Sequence, residues 1–240
     1  MSETVIREVA NGVWTFSRPF ARYGVVPVGG RSTAIKMKNG GVWVLASTPL
    51  EPETKAKLDE LGGVKYIVGA DAVHHLFLGD FKKAYPDAKL IAPKEAIERH
   101  GDKNLVFDGA WGRDLPNTRY GFEDEIKHRF FSGFVNKDVV FFHPDSKVLI
   151  EADLLMNLPA NEQYSKSRAS PKLPLFGGFT PTSWFHPRFL WYLGKDKEAM
   201  RRDAKTVAGW DFEKIIPCHG DVIERDAKKA WEEAFKFYLD

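Results

Sequence analysis

A chain of 240 residues, 43% of them apolar, carries enough hydrophobic side chains for a sizeable core, and its length suits one large layered domain spanning 1–240. Its 35 basic and 33 acidic residues are interleaved for a net charge of +2, which argues against a nucleic-acid footprint; the single cysteine, Cys218, excludes an intrachain disulfide and any multi-cysteine zinc site. No apolar run approaches a membrane span and the opening MSETVIREV is charged rather than signal-like, so the expectation is a cytoplasmic protein with neither nucleic-acid nor membrane partners.

In chain order, the first fifty residues read as β-structure. VIREV, GVWTFSR, STAIKMKN and GVWVLAS alternate or are rich in β-formers, and Asn-Gly and Gly-Gly pairs punctuate them as hairpin turns require. A helix follows from Pro52 through ETKAKLDEL, stopped by Gly62-Gly63. VKYIVGA reads as a buried strand, HHLFLGDFKKAYP as a helix up to Pro86, AKLIAP as a strand, and KEAIERH as a short helix closed by Gly101. Further on, DEIKHRFFSG and DVVFFHPDSKVLIEA form a strand and a hairpin. Residues 156–187 hold five of the fourteen prolines and no clear period, the mark of a lid or binding loop. KDKEAMRRDAKTVAGW is a helix, EKIIPCHGD a strand and its end, and DAKKAWEEAFKFYL a terminal amphipathic helix. Strands come first in each half, then helices with further strands. That order predicts an α/β fold with two mixed sheets face to face and helices outside.

Of the seven histidines, four have plain readings. His100 sits at a helix C-terminus, where it meets the dipole. His143 falls in the HPDS turn and is expected to be exposed, His128 alternates within a strand, and His186 lies in the irregular segment. His74, His75 and His219 differ, because each follows an apolar strand: VKYIVGA before the pair, KIIP before His219. Asp153 has the same setting after KVLIEA. Each alone is equally a capped helix start or a polar turn. Together they put imidazoles and a carboxylate at strand ends, where rigid structure delivers side chains to one edge. That donor set suits zinc, iron or manganese. Cys218, Trp210 and Trp231 read as core.

This order of segments resembles the metallo-β-lactamase superfamily over the whole chain. The family signature H-x-H-x-D-H lines up with GADAVH, where only His74 keeps its place; Gly69, Asp71 and Val73 stand at the other positions, with His75 adjacent. A further family histidine falls on Phe134 in SGFVNKDVVF. The family's bridging aspartate matches Asp153 in EADLL, and its last histidine matches His219 in PCHGD, with Cys218 in place of a glycine. The resemblance implies a four-layer αββα sandwich with loop ligands at one edge. It also implies loss of the first metal position and survival of the second as His74, Asp153 and His219, with one residue of the His74/His75 pair reaching the ion and the other the pocket wall.

The implied function is a metal-dependent hydrolase acting on a small organic substrate through one divalent ion, zinc ahead of iron or manganese. Asp221, Glu151 or His75 would serve as base. Tyr164, Trp184 and His186, with Phe176, Phe179 and Phe185, would line the pocket from the 156–187 segment. Two alternatives stand: a metal-free small-molecule-binding or interaction protein, and a mononuclear iron oxidative enzyme, since two histidines and a carboxylate are also that ligand set.

Overall fold

The structure, a computed structural model, describes residues 3–172 and 178–240. The hairpin of β1 (Val5–Ala10) and β2 (Val13–Arg18) turns at Asn11-Gly12. A small ribbon, β3 (Ala21–Arg22) with β4 (Val26–Pro27), precedes β5 (Gly30–Lys36), which pairs with β2, and β6 (Val42–Leu45) pairs with β5. Helix α1 (Pro52–Leu61) then alternates with β7 (Val64–Val68), α2 (Leu78–Ala84), β8 (Lys89–Pro93), α3 (Lys94–His100) and β9 (Gly109–Trp111). These last strands add in parallel, giving a mixed sheet ordered β1-β2-β5-β6-β7-β8-β9. The second sheet runs β10 (Lys127–Phe130), β11 (Val139–His143), β12 (Val148–Glu151) and β13 (Lys214–Pro217). Between β12 and its parallel neighbour β13 the chain makes α4 (Asn161–Tyr164), α5 (His186–Leu193) and α6 (Lys197–Ala208); α7 (Ala227–Ala234) and α8 (Lys236–Leu239) close it.

Alternation along the strands assigns the layers. Trp43 and Leu45 of β6 face Phe141 of β11 and Ile150 of β12 across the gap between the sheets, whereas Val42 and Val44 point the other way onto Leu58 of α1 and Phe81 of α2. In the second sheet Val139, Phe141, Val148, Ile150 and Ile216 join the inter-sheet core; Val140, Phe142, Leu149 and Ile215 face α5–α8. Strands buried on both faces need helices on both outer surfaces, and the result is the αββα sandwich expected from the element order.

Three local readings are corrected. The α2 helix begins at Leu78 rather than at the histidines, because the Asp71 carboxylate accepts the Val73 and His74 N–H groups and closes a separate turn. His143 is buried rather than exposed: it ends β11 opposite Val148, and its Nδ1 pairs with Ser146 Oγ at 2.7 Å. The terminal helix breaks at Phe235 into α7 and α8. The ribbon β3–β4 and the short β9 emerge only in the structure. No helix among the described residues is long and apolar enough to cross a membrane.

Candidate metal centre

β12 and β13 are parallel, so their C-terminal ends open on the same edge; the loop after β7 is tied to that edge by Val139 N–H to Ala70 O and Ala72 N–H to Asn136 O, each 2.8 Å. Three side chains converge there. His74, Asp153 and His219 each offer one ligand atom, all within 4.8 Å of one another. His219 Nε2 lies 3.2 Å from Asp153 Oδ1, and the two imidazoles are 5.3 Å apart.

Each of the three is held from behind. Asp71, fully buried, faces His74 Nδ1 with its Oδ2 at 2.9 Å while its Oδ1 anchors the turn, which leaves His74 Nε2 for the cluster. His219 Nδ1 is 2.6 Å from the Gly29 carbonyl. A carbonyl only accepts, so Nδ1 carries a hydrogen and Nε2 is the ring atom turned to Asp153. Asp153 Oδ2 accepts from Asn136 Nδ2 at 2.5 Å, and its backbone N–H donates to Asp138 Oδ1 at 2.9 Å.

The loop carrying His219 is clamped. Arg31, fully buried, donates to the Pro217 and Gly220 carbonyls at 2.7 and 2.6 Å, and to Ser17 Oγ, with Glu162 Oε1 at 3.3 Å. Gln163 donates to the Cys218 carbonyl at 2.9 Å and accepts from Gly220 N–H at 3.0 Å. Gly220 has φ +91°, and a Cβ there would sit 2.2 Å from the Asn157 carbonyl oxygen, so the position demands glycine.

Charge is concentrated at this edge. Burial opposes a charge on His74, yet Asp71 and Asp153 outweigh it and raise its pKa to about 9. Burial opposes ionisation of Asp153 too, but His74 and His219 hold its pKa below the usual carboxylate range. Asp138 and Glu151 are pushed well above that range, first by burial and then by their carboxylate neighbours. Among the described residues, the buried Asp153 Oδ1 has no hydrogen-bond donor other than what His219 Nε2 could bring. A carboxylate oxygen facing an imidazole Nε2, with a second imidazole alongside, fits a divalent cation.

The cluster forms the floor of a cavity of about 350 Å³. Its walls are Arg18, Pro19, Phe20 and Arg22 on one side, Ser47, Thr48 and Pro49 on another, and Val73, Leu76 and Phe77 on the third. Phe20 stacks over His219, 6.2 Å between centroids.

The structure separates the expected site residues. His74, Asp153 and His219 come together; His75 turns away and meets His100 edge-on, 6.0 Å between rings. Tyr164, Trp184 and His186 do not line the cavity, which corrects the expected lining. Tyr164 is buried beneath Met156 and Leu158, its hydroxyl donating to the Phe20 carbonyl at 2.9 Å. His186 is buried, accepts from Met156 N–H at 3.3 Å and packs on Phe179. Trp184 is exposed, with Arg188 over its ring. Phe176 lies outside the described residues. The described part of 156–187 props the His219 loop from below through Asn157, Asn161, Glu162 and Gln163 instead of covering the cavity. Asp221 is spent on that prop, accepting from Glu162 N–H and Asn161 Nδ2, and Glu151 is buried with Oε2 on Leu155 N–H, so with His75 turned away none of the three expected bases lines the cavity. Cys218 is buried, as read. The residues missed were Arg31, Asn136, Glu162 and Gln163; an arginine inside the otherwise small and apolar strand GRSTAIK was the one available signal.

Layers, strand-end loops and cluster define a metallo-β-lactamase-like fold. Solved structures agree over nearly the full chain. A metallo-β-lactamase from Erythrobacter litoralis superposes with TM-score 0.65 at 13% identity, covering 99% of this chain and 97% of that one. One from Pontibacter korlensis gives 0.60 at 14%, with 99% of each covered. FIM-1 from Pseudomonas aeruginosa, in the mono-zinc form, gives 0.60 at 13%, with 100% and 98% covered. No match was found among curated proteins. The chain belongs to the DUF4336 family, a domain of unknown function, which it matches over residues 10–174. That span includes His74 and Asp153 and stops short of His219.

Proposed function

We propose that this protein is a metal-dependent hydrolase acting on a small organic substrate, with one divalent ion, zinc by preference, held by His74, Asp153 and His219. The observation that carries the reading is the convergence of those three side chains, within 4.8 Å, at the floor of a cavity open to a small molecule. The mono-zinc form of FIM-1, on the same fold, supports the single-ion arrangement. Bound there, such an ion supplies Lewis-acid polarisation of a carbonyl and acidifies a water.

The chain's own residues do the rest. Asp71 and the Gly29 carbonyl fix the two imidazoles so that both Nε2 atoms face the cluster, the supporting hydrogen bonds that ligating histidines need. Asn136 pins one oxygen of Asp153 and leaves the other directed at the site. Phe20, Val73 and Phe77 keep the walls apolar and bring the reacting group to the floor.

Elemental mass spectrometry of the purified wild type, Asp153→Ala and His219→Ala tests this, followed by ester and amide hydrolysis screens. About one equivalent of zinc per wild-type chain, lost in both variants, is expected. Iron in its place would favour the oxidative reading, for which the two-histidine, one-carboxylate set also suffices. No metal after reconstitution, with all three proteins folded, would overturn both and leave a binding protein.

A further inference from the structure

The cavity wall bears two guanidinium groups, and they are not equivalent. Arg18 is engaged: its Nη1 sits 2.8 Å from Glu51 Oε1. Arg22, on the β3–β4 ribbon, has no carboxylate within ion-pair distance among the described residues. Its backbone is set by pairing with Val26, and its guanidinium lies 5.5 Å from the Tyr23 ring. The floor itself does not need this cation, since Asp153 faces His74 and His219. Beside Ser47 and Thr48, the wall has an apolar face of Phe20, Val73, Leu76 and Phe77, with Phe20 and Leu76 exposed at 48% and 68%.

We propose that the cavity selects small, largely apolar organic molecules bearing a single carboxylate, and that Arg22 receives that carboxylate while the apolar body lies along Phe20, Leu76 and Phe77. This rests on the reading of the cavity as a substrate site. One free guanidinium matches one negative charge, and its planar fork matches a carboxylate in two parallel hydrogen bonds. A phosphate monoester, with its second charge, would find no further free cation on this wall, because Arg18 is occupied.

The test is equilibrium binding of phenylacetate and of its neutral counterpart phenylacetamide to wild type, Arg22→Gln and Arg22→Lys, each both zinc-loaded and zinc-stripped. Arg22 is exposed, so the variants keep the fold, and the thermal midpoint checks it. Phenylacetate should bind wild type about tenfold more tightly than the amide, lose that advantage in Arg22→Gln and regain part of it in Arg22→Lys, with the amide indifferent throughout. The idea is overturned if phenylacetate binds Arg22→Gln as it binds wild type, if the two probes bind wild type equally, or if neither binds. The zinc arms separate this from the metal reading. An Arg22-dependent preference that survives in a protein unable to hold zinc keeps the carboxylate site and removes the hydrolase. A preference that follows zinc and ignores Arg22 does the reverse.

Discussion

His219 and Asp153 meet with Nε2 and Oδ1 3.2 Å apart, and the Nδ1 hydrogen of that imidazole is already committed to the Gly29 carbonyl. Two acceptors at that distance need something positive between them, either a proton or a cation. His74 stands ready as the third donor, while its sequence neighbour His75 lies against His100. Zinc affinity, measured by competition with a chromophoric chelator, should therefore collapse in His74→Ala and remain at the wild-type level in His75→Ala. The loss in His74→Ala should exceed the roughly 10–100-fold that removal of a supporting partner costs. Equal losses in both variants would refute the assignment.

Asp71 is such a supporting partner. It occupies a position where the family signature has a histidine, yet its carboxylate orients His74 and closes the turn before α2. Asp71→Asn keeps an acceptor for the backbone N–H groups but removes the charge facing His74 Nδ1. The same competition assay should give zinc binding weakened about 10–100-fold, with circular dichroism unchanged.

The clamp on the His219 loop gives a stability prediction. Arg31 is fully buried and satisfies the carbonyls of Pro217 and Gly220, on either side of Cys218 and His219. Arg31→Met leaves those acceptors unpaired and removes a partner from the Glu162 carboxylate, which keeps Arg7 at 2.7 Å. Urea unfolding should show a loss of about 3–5 kcal/mol. Arg31→Lys should not restore it, because an ammonium cannot span Ser17, Pro217, Gly220 and Glu162 at once.

Much of this was legible in the residues, and the boundary has physical causes. Val42, Trp43, Val44 and Leu45 are all apolar, so the run declares a strand buried on both faces, but which side chains meet the other sheet and which meet the helices is visible only in the structure. Asp153 and His219 end apolar strands, so their edge could be foreseen. The choice between His74 and His75 could not, because it depends on how the Asp71 turn rotates the backbone, not on spacing. Nor could the role of 156–187: Gln163 reaches the Cys218 carbonyl across 55 residues, and prolines in such a segment look the same whether it covers a pocket or props a loop. His143 was misplaced because the HPDS turn was read as beginning at the histidine, whereas β11 runs through it and buries the ring.

His186 supplies the pH dependence. Its ring is buried, with Nε2 accepting from Met156 N–H and Phe179 4.6 Å away, and burial alone lowers its pKa from 6.5 to about 3. The unfolded chain therefore binds a proton near pH 6.5, whereas the folded chain refuses it until about pH 3. Between those limits the unfolded state holds more protons at this site, so the His186 contribution to stability rises with pH across the window and falls on acidification. His128, lowered to about 4 by burial, adds to the same slope over the upper part of the window. Asp138 and Glu151, raised by burial, pull the other way, so the His186 contribution is read as a difference: at constant ionic strength the denaturant midpoint of wild type relative to His186→Gln should decline from pH 6.5 toward pH 4. His186→Gln offers an uncharged amide acceptor to the same N–H and removes the titration, so it should be less stable than wild type at pH 7 yet lose less on acidification. Parallel declines in the two proteins would mean that the His186 ring is protonated in the folded state, and would contradict the burial seen here.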